Sequence, residues 1–234
     1  MIESQQEIAG LRTTVVEPQR EAAAKVVILH GYAMQPADLS PFARSMNVPA
    51  TFYFPRAPLA AHGQGFAWWA LDIEARARAL ETGPRDLYDT YPVGREAARS
   101  KMQQFLQVIS AETPSHPLAI GGFSQGGMLA CELVLYGICN PAALMLLSAS
   151  RLAIQEWQPR LDALRGLPAL VSHGRLDRDL AYAAGERLRD MLLAANASVT
   201  WIGFDQGHEI PLPVWRGMRR FLENLIETHR APPA

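Results

Sequence analysis

A serine, an acid and a histidine, the residue types of nucleophilic acyl transfer, all fall in this chain where apolar runs end. Ser124 sits in Gly122-Phe123-Ser124-Gln125-Gly126, directly after the apolar run Leu118-Ala119-Ile120 and before Met128-Leu129-Ala130. This G-x-S-x-G spacing describes a nucleophile elbow, a sharp strand-to-helix turn that exposes the serine oxygen. Glycines at 122 and 126 let strand and helix pass close to one another, and the turn itself strains the serine backbone. A helix starting there aims backbone N–H groups and its positive end at any oxyanion formed on the serine. The pentapeptide is also what a plain glycine-rich turn looks like. A base, an acid and a second oxyanion donor must come from elsewhere.

For the base, the six histidines separate by position. His229 lies in a terminal tail, and His116 precedes a strand, at the wrong end of the sheet. His62 is in an irregular loop. His30 and His173 each end a strand as His-Gly, where an imidazole holds a loop by hydrogen bonding. His208 follows the last strand with Gly207 before it, and is the expected base. For the acid, Asp177 and Asp179 both lie just past Leu170-Val171-Ser172, with Asp205 a weaker third. Only one need face the imidazole; the other suits the surface or a helix cap near Leu180. Flanking Arg175 and Arg178 would keep either ionised. Serine, then acid, then histidine is the chain order of α/β-hydrolases.

The elements that must position these groups follow from periodicity. Lys25–Leu29, Thr51–Phe54, Ala142–Leu147, Pro168–Ser172 and Ser198–Ile202 read as strands, with Ile8–Glu17 as an edge strand. Continuous β-branched runs such as Val26-Val27-Ile28 fit parallel strands buried on both faces. Helices are expected over Pro36–Met46, Ile73–Glu81, Val93–Ser110, Gln125–Tyr136, part of Ile154–Leu164, Leu180–Ala194 and Val214–Thr228. In Val93–Ser110, the longest of these, Ala97, Met102, Phe105, Leu106 and Ile109 mark the apolar side. Strands alternating with helices mean βαβ units and a mostly parallel sheet, whose ligands bind at the carboxyl ends of the strands. Residues 55–91 break the pattern and carry Phe66, Trp68 and Trp69; a connection this long in a compact domain is expected to be functional. No repeat or linker divides the chain, so one domain over residues 1–234 is expected.

Composition narrows the function. With 234 residues, 49% hydrophobic, 19% charged and a formal net charge of −1, the chain has no electrostatic footprint for nucleic acid. The polar start Ile2–Glu7 lacks the pattern of a secretory signal, and no apolar run reaches the roughly 20 residues that span a bilayer. A soluble, cytoplasmic protein with no stable membrane insertion is expected. Cys131 and Cys139 are eight residues apart, roughly 12 Å along a helix, too far for a disulfide. Neither has the spacing of a metal or redox site, and no metal or cofactor is expected.

Together, Leu29-His30-Gly31-Tyr32, Gly122-Phe123-Ser124-Gln125-Gly126-Gly127, His173-Gly174-x-x-Asp177 and Gly207-His208-Glu209 resemble the phospholipase/carboxylesterase family, which includes the acyl-protein thioesterases. Phe54-Pro55-x-Ala57-Pro58 and Phe66-Ala67-Trp68-Trp69 resemble its bacterial carboxylesterase branch. The resemblance implies an α/β-hydrolase fold: a mostly parallel sheet flanked by helices on both faces, with no large separate lid domain. It implies Ser124 as nucleophile, Asp177 rather than Asp179 as acid, His208 as base, and the backbone N–H groups of Tyr32 and Gln125 as the oxyanion hole. The chain departs from the family at the His-Gly-Leu-Gly turn, here His30-Gly31-Tyr32-Ala33, and after the acid, where Arg178 stands in place of proline or aspartate. Family members often pair as homodimers, although nothing in this chain marks an interface.

The expected chemistry is hydrolysis of a small-molecule ester or thioester through an acyl-enzyme on Ser124. Met34, Phe66, Trp68, Trp69 and Ile210, with Tyr32, are expected to line the acyl pocket. For Trp68 and Trp69, packing in the core is the equal alternative. An apolar, neutral rim would suit short to medium acyl esters rather than charged substrates. A lysophospholipase-type hydrolase, an acyltransferase and a non-catalytic binding protein of the same fold are the competing readings.

Overall fold

The computed structural model describes residues 1–230. The chain opens with a hairpin, β1 (Ile2–Ile8) and β2 (Leu11–Glu17), turned at Ala9 and Gly10, both at positive φ. Then come β3 (Lys25–Leu29), a 3-10 turn at Pro36–Asp38, α1 (Ser40–Met46) and β4 (Thr51–Pro55). The 55–91 segment holds a small ribbon, β5 (Leu59–Ala60) with β6 (Phe66–Ala67), and α2 (Ile73–Glu81). It leads into α3 (Arg95–Glu112), β7 (Leu118–Phe123), α4 (Gln125–Leu135) and β8 (Ala143–Leu147). A short α5 (Ile154–Trp157) with a 3-10 continuation, β9 (Pro168–Gly174), α6 (Tyr182–Ala194), β10 (Ser198–Phe204) and α7 (Leu212–His229) complete it.

Eight strands form one sheet in the order β1-β2-β4-β3-β7-β8-β9-β10. β1 and β2 are antiparallel to each other and β2 to β4, while β4, β3, β7, β8, β9 and β10 run parallel. This is the α/β-hydrolase fold. The central strands are buried on both faces, as their continuous apolar runs require: every residue of β3 and β8 is buried. Alternate side chains feed two cores. Val27, Leu29, Ile120, Leu144 and Leu146 point to the α3, α4 and α6 side. Val26, Ile28, Ala119, Met145 and Leu147 point to the α1 and α7 side.

Three expectations need correction. The edge is β1, not the strand expected over Ile8–Glu17: the polar start, Glu3, Ser4, Gln5, Gln6 and Glu7, carries no strand pattern, yet it pairs through backbone in a ribbon whose side chains are mostly exposed. In α3 the buried alanine is Ala98, and Ala97 faces solvent, because Ala98 lies four residues before Met102 on the same helix face and Ala97 does not. His229 is not in a tail but in the last turn of α7, its ring nitrogen bonded to the Leu225 carbonyl at 2.9 Å. Of the expected span of 1–234, residues 231–234 lie outside the described residues.

Candidate active site

Ser124 occupies the β7–α4 junction at φ 52°, ψ −117°, a region that L-residues rarely adopt. The geometry is forced by contact. A Cβ at Gly126 would lie 2.2 Å from the Leu29 carbonyl oxygen, and one at Gly122 would lie 2.4 Å from the Gly126 carbonyl carbon. Only glycine lets α4 start this close to β3 and β7. The Ser124 N–H donates to Leu147 O at 2.8 Å, and its carbonyl accepts from Met128 N at 3.0 Å, so the backbone is held from both sides. The side chain does not cap its own helix, and Ser124 lines a cavity of about 560 Å³ together with His208.

The structure separates the three acid candidates. Asp177, 4% exposed, receives His208 Nδ1 at 2.6 Å on Oδ2. His173 Nε2 lies 3.2 Å from the same oxygen, while also donating to the Leu180 carbonyl at 3.1 Å. Oδ1 accepts the N–H groups of Asp179 and Leu180 at 2.8 and 2.9 Å. Burial alone would raise the Asp177 pKa, but hydrogen bonds from His173 and His208, the attraction of His208 and the Leu180 N–H hold it well below the usual carboxylate range. Asp179 instead pairs with Arg76 at 2.8 Å and with Arg85. Those two arginines, far away in sequence, keep it ionised against its own burial. The flanking arginines expected to do so do not: Arg175 pairs with the exposed Asp205 at 3.0 Å, and Arg178 is exposed.

The loop after β3 brings Tyr32 to the same place. Its N–H and that of Gln125 have no backbone carbonyl partner among the described residues, and Gln125 is the first residue of α4, where N–H groups are left over by the helix. His30 organises this loop. Its Nδ1 donates to Gly31 O at 2.8 Å and its Nε2 accepts Ala57 N–H at 3.0 Å, while its carbonyl accepts Trp68 Nε1–H at 3.0 Å. Both ring nitrogens are therefore engaged only when the ring is neutral. Burial pushes its pKa down to about 4, against smaller opposing effects of the Gly31 bond and Asp38. Ala33, where the resembled family has glycine, adopts φ 60° and bonds to Phe66 O at 2.9 Å.

Met34, Trp69 and Ile210 do line the cavity, as does Tyr32. Phe66 and Trp68 do not. Phe66 lies under the Arg56 guanidinium, 4.4 Å from its ring centroid, and Trp68 is 1% exposed in the core, held by His30. Trp69 is as deeply buried but presents its inner face to the cavity. The link between loop and elbow is the Gln125 side chain, which accepts Trp68 N–H and donates to Trp69 O, both at 2.9 Å.

Much of the wall was not foreseen. Leu39, Phe42 and Trp215 come from the α1 and α7 side, with Phe42 stacked on Trp215 at 4.3 Å. Leu71, Leu87, Met128, Leu152 and Leu180 come from the opposite side of the sheet. Arg76, Arg85 and Asp179 also border the space, so the rim is not neutral. A signal existed for Phe42 and Trp215, both on amphipathic helices flanking the strand ends; none existed for Leu152 or Arg85. Among the described residues no group of three or more His, Cys, Asp or Glu could hold a metal ion, and no helix is long and apolar enough to cross a membrane.

Residues 11–226 match the family described as Phospholipase/Carboxylesterase. Acyl-protein thioesterase 1 of Neurospora crassa is 28% identical over 118 residues, 49% of this chain and 48% of that protein, so the match spans about half the length of this curated relative. Among solved structures, esterase PE8 superposes with a TM-score of 0.75 at 23% identity, covering 96% of this chain and 100% of that one. Acyl-protein thioesterase 2 of Zea mays superposes with a TM-score of 0.68 at 23% identity, covering 92% and 99%.

Proposed function

The chain belongs to the phospholipase/carboxylesterase family of hydrolases, and from that premise we propose that it is a single-domain serine esterase cleaving short to medium acyl esters through an acyl-enzyme on Ser124. The observation that carries this is the Asp177 Oδ2–His208 Nδ1 bond of 2.6 Å at the mouth of the cavity that Ser124 lines. With Nδ1–H given to Asp177, His208 Nε2 is left as the acceptor that a general base needs.

His208 Nε2 takes the Ser124 hydroxyl proton while Oγ forms its bond to the substrate carbonyl carbon. The carbonyl electron pair moves to oxygen, which the N–H groups of Tyr32 and Gln125 receive. Each such donor is worth roughly 3 kcal/mol in the transition state. Collapse expels the alkoxide, which takes the proton from His208. Water then repeats the sequence, giving the acid and free Ser124. Asp177 holds the tautomer and balances the imidazolium.

Apolar groups from both faces of the sheet support a substrate with an apolar acyl chain. The likeness to two acyl-protein thioesterases supports a thioester as the second substrate class, since the same steps serve a thiolate leaving group. A fluorophosphonate probe tests the mechanism: wild-type protein forms a covalent adduct at Ser124 and the Ser124→Ala protein does not. Absence of an adduct on the wild type at neutral pH refutes it, and would leave a non-catalytic binding protein. A p-nitrophenyl ester chain-length series beside an acyl-thioester then orders the substrates.

A further inference from the structure

The two sides of the cavity differ in charge. Exposed Asp38 and Glu209 border the side built from Leu39 and Trp215. On the other side, Arg76 and Arg85 share the single carboxylate of Asp179. The Arg85 side chain is only 16% exposed, and its Nε is buried with no partner among the described residues. A second groove of about 460 Å³ continues from there past His208 and is bordered by Arg178, Arg76 and Asp179. Arg178 is exposed, and among the described residues no carboxylate lies within 4 Å of it. Three guanidiniums therefore meet the carboxylate of Asp179 beside His208, whose other carboxylate neighbour, Asp177, is buried and taken up by the imidazole, while the exposed carboxylates of Asp38 and Glu209 border the cavity away from these arginines' ion pairs.

His208 borders both spaces. In the mechanism above, the group that His208 protonates is the leaving group, and the arginine-lined groove opens beside that imidazole, within reach of a substituent on the leaving group. An anion there gains charge-assisted hydrogen bonds from guanidinium forks. The same anion placed on the opposite side meets Asp38 and Glu209.

Resting on the reading of the protein as a serine esterase, we propose that Arg178, Arg76 and Arg85 form a subsite for an anionic group on the leaving alcohol or thiol. The preferred substrates then carry a carboxylate or phosphate on the leaving-group side and an apolar acyl chain on the side of Leu39 and Trp215. This replaces the expectation that a neutral rim disfavours charged substrates.

The test uses two butyrate esters of matched shape and different charge: 4-carboxyphenyl butyrate and its neutral isostere, 4-carbamoylphenyl butyrate. Each kcat/KM is divided by the rate of alkaline hydrolysis to remove intrinsic reactivity. Wild-type protein favours the carboxylate ester by about tenfold, the size of one good charge-assisted contact. That ratio shrinks at 0.5 M NaCl, where screening shortens electrostatic reach. Arg178→Gln lowers the ratio to about three or less, whereas Arg219→Gln, on α7 and paired with Glu223, leaves it as in wild type. A ratio of one or below, or a ratio indifferent to Arg178→Gln, overturns the subsite while leaving the esterase reading intact. If neither ester turns over, the esterase reading falls. Equilibrium binding of the two esters to the Ser124→Ala protein then decides the subsite: tighter binding of the carboxylate ester supports it, and equal binding overturns it.

Discussion

Replacing Asp177 by asparagine removes one charge and hardly changes shape, yet the surroundings of this side chain leave the amide no good orientation. The carboxylate accepts four N–H groups: the backbone of Asp179 and Leu180 on Oδ1, and His208 and His173 on Oδ2. An amide has one accepting end. If its oxygen keeps the two backbone N–H groups, its NH₂ faces His208 Nδ1 and His173 Nε2. His208 Nδ1 must then accept, its proton moves to Nε2, and Nε2 can no longer take the Ser124 proton. If the amide flips, its NH₂ confronts two buried backbone donors. The first orientation costs activity, with a fall in kcat of about 10⁴, equivalent to about 5 kcal/mol. Because His173 keeps its bond to the Leu180 carbonyl, the stability cost stays at about 1–3 kcal/mol, that of one unsatisfied buried group. Asp179→Asn is the control, since Asp179 bonds to Arg76 and Arg85 and not to His208. Steady-state kinetics on p-nitrophenyl butyrate and urea denaturation of both variants give the four numbers required. An Asp177→Asn protein with more than a tenth of wild-type kcat, or an Asp179→Asn protein equally impaired, refutes the assignment of the acid.

Three further outcomes follow from the backbone and from His30. Ala33→Gly relieves a left-handed residue that costs an L-amino acid about 1–2 kcal/mol, and after the larger chain entropy of glycine a gain of up to about 1 kcal/mol remains; a urea midpoint no higher than wild type contradicts it. Gly126→Ala forces a Cβ to within 2.2 Å of the Leu29 carbonyl oxygen, a clash with backbone that costs at least about 3 kcal/mol. Gly137→Ala, at φ 66° with nothing within 4 Å of the new Cβ, costs only about 1 kcal/mol, and denaturation curves compare the two. His30 titrates near 6.5 when unfolded and at about 4 when folded, so the unfolded chain binds its proton first as pH falls. Its contribution is complete above about pH 6.5 and is lost progressively down to about 4, amounting to about 3 kcal/mol. The depressed carboxyl of Asp177 loses its contribution only below the ordinary carboxylate pKa of about 3.9, outside that window. Stability measured by urea at pH 7 and pH 4.5 falls in wild type and falls less in His30→Gln; equal losses in the two proteins contradict the role of His30.

The parallel sheet was readable because its strands are buried on both faces, which demands continuous apolar runs such as Lys25–Leu29 and Ala143–Leu147. The elbow was readable because close approach of α4 to β3 leaves glycine as the only residue that fits at 126. Chain order placed Ser124, Asp177 and His208 past strand ends, since a parallel sheet gathers those ends on one side. β1 was missed because an exposed edge strand needs no apolar pattern: its pairing with β2 is made by backbone.

What a local pattern cannot carry is the partner of a side chain distant in sequence. Asp177 and Asp179 differ by two residues and share the same flanks, so residue type and spacing alone left them level until the family resemblance chose between them. The structure gives the physical reason: Asp179 turns to Arg76 and Arg85, which are 103 and 94 residues away, and Asp177 to His208. Trp68 and Trp69 are neighbours with equal burial, and only the placement of the loop sends one indole to His30 and the other to the cavity wall. From sequence alone, then, came the serine at the elbow, the histidine after the last strand and the sheet that holds them. Tertiary structure decided which acid meets that histidine, which aromatics line the cavity, and that arginines rather than a neutral rim border it, because each depends on where separate segments meet.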